Sequence, residues 1–266
     1  MFADKFVFDN KLYLVNFIAF SIAYYGVILI LKIDKSFDKK LNLEFWLKSV
    51  ISIAIASVYI GYFGYYGINI DIKYPASRFY YYTADNLSGI FTMLIPVWLV
   101  YLIFDRNRDV PFYGLSFKFF NYKLALILLV FAVGIAFIGS HFKAVSEYYP
   151  ILDRTAYQVF SVDYNISESL AASIFESAYM FDFIMIEFFF RGIMIFGFVK
   201  LLGKKAILPI ASLYVVIHFG KPLPETISSF FGAYILGIVA YQQKNIGIGV
   251  VLHCALAFSM EIFTMQ

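Results

Sequence analysis

Eight ionisable side chains fall within long apolar stretches of this chain. Glu176, Asp182, Glu187 and Arg191 share one stretch, His218 ends the next, Glu225 opens a third, and His253 and Glu261 lie in the last. Lysines and arginines at the ends of apolar segments can extend their heads to water and carry little information. These eight are different, because an ionisable group at mid-membrane depth costs about 2.5–3.5 kcal/mol on insertion scales. Carboxylates and imidazoles are also the side chains best suited to moving protons.

Their spacing narrows the chemistry. Positions 176, 180, 183, 187, 191 and 194 follow steps of four and three, the period of one helical face. Glu187 and Arg191 form an i,i+4 pair with the acid N-terminal, the better order for an ion pair. Such a pair is either a self-neutralising packing device or part of a site. Asp182 falls on a neighbouring face and reads as satisfied by a local hydroxyl or water. Glu261, near the end of the sequence, reads as sitting at a water boundary, and His141 as interfacial. His218 and His253 are two of only three histidines, on two of the apolar segments that follow the one carrying Glu187. That arrangement favours a convergent site over two separate hydrogen-bonded core residues. Between them runs His218-Phe-Gly-Lys-Pro-Leu-Pro-Glu225, in which Gly220 and two prolines break a helix and Pro224 with Glu225 suits the start of another. The stretch is either a capped turn or the rim of a wet cavity bracketed by Lys221 and Glu225.

The elements that must position these groups are membrane helices. The 266 residues are 62% hydrophobic and 15% charged, with mean hydropathy +0.77, whereas soluble domains run at about 45–50% apolar and about 25% charged. Thirty-two Phe suit hydrocarbon and twenty-two Tyr suit the headgroup level. The expected architecture is all-α, a polytopic transmembrane bundle of about eight helices, near 12–31, 45–66, 87–104, 122–140, 170–202, 206–219, 225–243 and 247–264. The first run is longer than a signal-peptide core and lacks a cleavage site after it, so it reads as a membrane helix. The sixth is short, bounded by Gly203 and Gly220, and is expected to tilt or to stop inside the bundle. The fifth is expected to begin near Ser167 or Ser169. Ser228, Gly232 and Gly237 give the seventh a small-residue face for close packing.

No linker divides the chain, which reads as one polytopic domain over 1–266. Loops after the odd-numbered helices carry thirteen Lys and Arg, Lys48 among them, against seven on the other side. The positive-inside rule then puts both termini on the extracytoplasmic face of a bacterial-type cell membrane. The Tyr-rich segments 67–86 and 141–169 read as lying along the interface. A net charge of +3 without a Lys/Arg cluster argues against nucleic acid as a partner. The single cysteine, Cys254, excludes an intrachain disulfide and a cysteine-based zinc site.

At these residues the chain resembles the CPBP family of intramembrane proteases, also called the CAAX-protease or bacteriocin-processing (ABI) family. The family pattern is Glu-Glu-x-x-x-Arg on one helix, Phe-x-x-x-His on the next and His-x-x-x-Asn/Asp on a later one. Here the sequence reads Ile186-Glu187-Phe188-Phe189-Phe190-Arg191, then Tyr214-x-x-x-His218, then His253-x-x-x-Ala257. The resemblance spans 170–264, and the His-Phe-Gly-Lys-Pro-x-x-Glu stretch is similar to a bacterial branch. Three positions depart: Ile186 replaces the first acid of the pair, Ala257 replaces the Asn/Asp, and Tyr214 replaces the Phe, a mild change.

The resemblance implies an endopeptidase that cuts a peptide or membrane protein within the lipid bilayer. Glu187, His218, His253 and Arg191 would be catalytic, with Glu225 standing in for the missing acid. A glutamate and a histidine would position the water, and the second histidine would help hold the oxyanion. The departures leave room for an alternative, a pseudoprotease that binds membrane peptides or partner proteins without cutting them. Glu187, His218 and His253 also make a legitimate zinc set with one open position, although no His-Glu-x-x-His helix is present. A transporter is disfavoured, because the two halves of the chain show no repeat.

Overall fold

The computed structural model describes residues 10–34, 40–62, 68, 70–106, 111–115 and 120–265. It is an all-α bundle with no strand among the described residues. Helix α1 spans Asn10–Ile33, α2 Leu43–Gly61, α3 Ser77–Asp105 and α4 Tyr122–Ser140. A short helix, α5, covers Tyr157–Asp163. Helix α6 runs Glu168–Glu187 and continues as a π-helix over Phe188–Phe196. Helix α7 covers Ile207–Val216, α8 Leu223–Gln243 and α9 Gly247–Thr264.

Side-chain caps set several of these starts. Asn42, Asn121 and Ser167 each accept a hydrogen bond from the backbone N–H three residues on, opening α2, α4 and α6. Helix α8 instead opens on proline, with Glu225 in its first turn. Lys244, in the left-handed conformation, ends α8, and Asn245 accepts from the Gly247 amide to begin α9.

Among the described residues six helices are long and apolar enough to cross a membrane: α1 to α4, α8 and α9. Their outer faces are apolar and uncovered. Ile22 on α1 and Phe131 on α4 are 68% and 67% exposed, which suits lipid rather than water. The other two of the eight expected spans behave differently. Helix α6 carries its charges inward and passes into a π-helix. Helix α7 has ten residues, about 15 Å, roughly half the hydrocarbon thickness. It stops inside the bundle, packed on α1 and α8.

Three expectations are corrected. Helix α3 begins at Ser77, ten residues before the expected start at 87. Gly237 does bring α8 against α7, where an added Cβ would lie 2.7 Å from Ile207, but Gly232 faces open space. Lys48, counted as a loop cation, is fully buried on α2. Its ammonium donates to both oxygens of Asp105 at 3.0 and 3.1 Å, and Tyr113 donates to the same carboxylate. Lys5, Lys35, Lys39, Arg108 and Lys118, which contribute to the charge asymmetry, lie outside the described residues.

Around the bundle centre, α6 packs between α3 and α9, while α8 and α7 close on its π-helix. This places the C-terminal half of α6, the end of α7 and the first half of α9 side by side.

Candidate active site

The site is built where α6 changes register. Glu187 is the last residue of its α-helical part, and Arg191 lies in the π-helix that follows. A π-turn widens the helix and is common at functional sites. The face inferred from regular helical spacing therefore holds only as far as Glu187, yet Arg191 still reaches back. Its Nη1 lies 2.8 Å from Glu187 Oε1, with both side chains at most 1% exposed. A pair this deep has given up its hydration, so it must be matched by further contacts.

Those contacts come from α9 and α7. His253 Nδ1 is 2.9 Å from Glu187 Oε1. The carboxylate can only accept, so Nδ1 carries the proton and donates. Nε2 of the same imidazole then has a free lone pair, and the Tyr214 hydroxyl donates to it at 3.3 Å. The Tyr214 carbonyl, one turn before His218, accepts from His218 Nδ1 at 2.9 Å. His218 Nε2 is thereby also an acceptor, without a hydrogen-bond partner among the described residues. Side-chain contacts Glu187–His253–Tyr214 join three helices, and His218 is tied to the last of them through the Tyr214 backbone carbonyl.

Aromatic rings hold these groups in place. The Arg191 guanidinium lies 4.8 Å from the Tyr214 ring centre, and Phe190 meets the same ring edge-on at 4.8 Å. Phe183 packs against the His253 ring at 4.4 Å, tilted by 40°. Ile186 and Ala257 form buried apolar walls. Glu187 Oε2 is buried with no hydrogen-bond partner among the described residues. It faces Gly249, whose missing side chain leaves it room.

Glu225 belongs to a neighbouring cluster. It pairs with Lys221 at 2.8 Å and accepts from the Tyr149 hydroxyl at 3.2 and 3.1 Å. The Tyr149 phenol is held well above its ordinary range, first by burial and then by nearby charge, that of Glu225 included. The turn before Glu225 is tied down as well: Thr226 Oγ1 donates to the His218 carbonyl at 2.9 Å. The carboxylate of Glu225 thus latches the first turn of α8 to the 141–163 segment.

The remaining acids are accounted for separately. Asp182 accepts from Tyr59 at 2.6 Å, the local hydroxyl its position suggested. Glu261 is not at a water boundary. It is fully buried, because its two oxygens accept from the backbone N–H groups of Ile151 and Leu152 at 2.8 and 3.0 Å. Glu176 lies on the same helix as Glu187 but takes no part in the chain of contacts, and its carboxyl oxygens have no hydrogen-bond partner among the described residues.

Glu187, His218 and His253 do not form a zinc set as arranged. Among the described residues no three His, Cys, Asp or Glu side chains gather as a metal-binding group. Both ring nitrogens of His253 are already engaged.

Sequence reasoning passed over two residues. Tyr214 read as a mild replacement for Phe, although a phenol four residues before a histidine on the same helix face could have signalled a polar partner. Gly249 gave no signal at all.

No curated protein and no solved structure matches this chain. Residues 168–259, which hold Glu187, Arg191, Tyr214, His218, Gly249 and His253, match the family model for "Rce1-like: Type II CAAX prenyl endopeptidase Rce1-like", a match consistent with the CPBP/CAAX protease family.

Proposed function

We propose that this integral membrane protein is a CAAX-protease-type intramembrane endopeptidase that hydrolyses a peptide bond of a membrane-associated peptide or protein. The family match supports that class of activity. The observation that carries the reading is the set of side-chain contacts from buried Glu187 through His253 to the Tyr214 hydroxyl, with His218 fixed on the Tyr214 carbonyl one turn away.

Hydrolysis needs a base for water and a group that keeps the base in one tautomer. Glu187 fills the second role by accepting the His253 Nδ1 proton, which leaves the Nε2 lone pair for a water proton. Arg191 neutralises Glu187, so the carboxylate can remain ionised while dry. His218 Nε2 is a second acceptor that orients the same water. Glu225, latched to Lys221 and Tyr149, closes the turn beside His218. The loop charges favour extracytoplasmic termini.

The test is a survey of new N-termini after incubating the protein, reconstituted in lipid, with a detergent extract of membrane proteins. The native protein is expected to generate termini that His253→Gln and Glu187→Gln do not. Identical termini from all three proteins would leave a binding protein of the same architecture.

A further inference from the structure

We propose that the Tyr214 hydroxyl is a catalytic group of this site, the donor that meets the peptide carbonyl oxygen as negative charge develops on it. The inference rests on the reading of Glu187 and His253 as a hydrolytic pair and goes beyond it.

The argument is a count of protons. A tetrahedral intermediate needs N–H or O–H donors aimed at its oxyanion. Neither neutral imidazole can supply one. His253 spends its proton on Glu187, and His218 spends its proton on the Tyr214 carbonyl. Both Nε2 atoms are therefore acceptors only. Arg191 sets its Nη1 against Glu187 and packs its guanidinium on the Tyr214 ring. At position 257, one turn after His253, alanine has no donor to offer. The Tyr214 hydroxyl carries a proton at the required place, 3.3 Å from the nitrogen at which the water is activated. A carbonyl attacked by that water must put its oxygen within about 3 Å of the same region.

The ring is also fixed well enough for the task. Phe190 stands against its edge, the His218 ring lies 4.6 Å away, and the Arg191 cation sits over its face. A cation over the ring polarises the hydroxyl as a donor. The hydroxyl has one proton and two uses for it. Before substrate enters, it caps His253 Nε2. With a peptide bound it turns to the carbonyl, and the freed lone pair takes a proton from the attacking water. The water oxygen bonds to the carbonyl carbon while the π electrons move onto the carbonyl oxygen, which Tyr214 then hydrogen-bonds. Collapse reforms the C=O bond and breaks the C–N bond, and the proton on His253 Nε2 leaves with the amine.

Tyr214→Phe isolates the hydroxyl. The probes are a synthetic peptide spanning a cut found in the terminus survey and its phosphonate analogue, in which a tetrahedral phosphorus replaces the scissile carbonyl. The variant is expected to turn over the peptide about 100-fold more slowly with KM within twofold. It should bind the phosphonate about 100-fold more weakly, yet bind the uncleaved amide as the native protein does. A purely structural role would weaken both ligands alike, and that result overturns the proposal. So does turnover within threefold of native. Binding of the two ligands decides the matter even where turnover is too slow to follow. Should the native protein cut no more than His253→Gln, it is the hydrolytic reading itself that falls, and the test separates that failure from this one.

Discussion

Glu187 and Gly249 touch across the packing of α6 on α9, so closely that a methyl group on Gly249 would fall on the carboxylate Oε2. The glycine is thus a condition for the site: it admits a buried carboxylate at the one height on α9 from which the same acid can reach His253, one turn further along.

Gly249→Ala should therefore act on function more than on folding. Overpacking a buried position costs about 1–3 kcal/mol, and the group that must give way is the carboxylate that orients His253. Cleavage is expected to fall at least tenfold, with a modest drop in the thermal midpoint measured in detergent. Gly232→Ala, facing open space on α8, should change neither quantity. Equal cleavage by Gly249→Ala and the native protein would mean that Glu187 has a second productive position.

The Glu187–Arg191 pair makes a separate prediction about stability. Removing one partner of a buried ion pair leaves an uncompensated charge and costs about 3–5 kcal/mol. Glu187→Gln should melt well below the native protein, because Arg191 is 1% exposed and its neutralising partner is gone. The double variant Glu187→Gln/Arg191→Met should recover much of that loss without recovering any cleavage. His253→Gln keeps the pair and should melt closer to native. A single Glu187→Gln variant as stable as native would show that Arg191 finds other compensation.

Much of the scaffold was readable because lipid imposes length. Apolar runs marked eight helical segments, all but the start of α3 within a few residues, Ser167 marked the start of α6, and Gly203 with Gly220 marked α7 as too short to cross. The i,i+4 ion pair of Glu187 and Arg191 was equally readable, since helical spacing fixes neighbours on one helix. Contacts between helices were not. Spacing says which residues share a face, and nothing about how far each helix is rotated against the next. Glu261 turned inward to two backbone amides, Lys48 reached Asp105 fifty-seven residues away, and Tyr214 acquired His253 as a partner, all for that reason. The π-helix after Glu187 had no sequence signature, because Phe-Phe-Phe-Arg-Gly serves either register equally well.

Glu225 offers a clean discrimination between two roles. Its carboxylate is occupied by Lys221 and Tyr149, and both members of the ion pair keep about a quarter of their side chains accessible to solvent. Such a pair contributes about 0–1 kcal/mol. Glu225→Gln should leave turnover within about threefold of native and stability nearly unchanged, as expected of a latch. A loss as deep as that of His218→Gln would instead make Glu225 the second acid of the reaction. Initial rates of the three proteins on one peptide decide between these roles.

Glu261 should control the segment between α4 and α6. Its two oxygens accept from consecutive amides, Ile151 and Leu152, at a position with no exposure to solvent. A glutamine in its place keeps one acceptor and turns an NH2 toward the other amide, so one buried N–H loses its partner at a cost of about 1–3 kcal/mol. That penalty falls on local opening of residues 141–163. In Glu261→Gln the amides of Ile151 and Leu152 should exchange with deuterium at least about fivefold faster than in the native protein, while exchange within α9 stays as it was. Because Tyr149, two residues before Ile151, latches Glu225, the same opening should loosen the turn that carries His218. The variant is therefore expected to lose some turnover without any change in the contacts of Glu187. Unaltered exchange at both amides would mean that the segment is held by its apolar packing on α3 and α6, and that the carboxylate merely occupies the space beneath it.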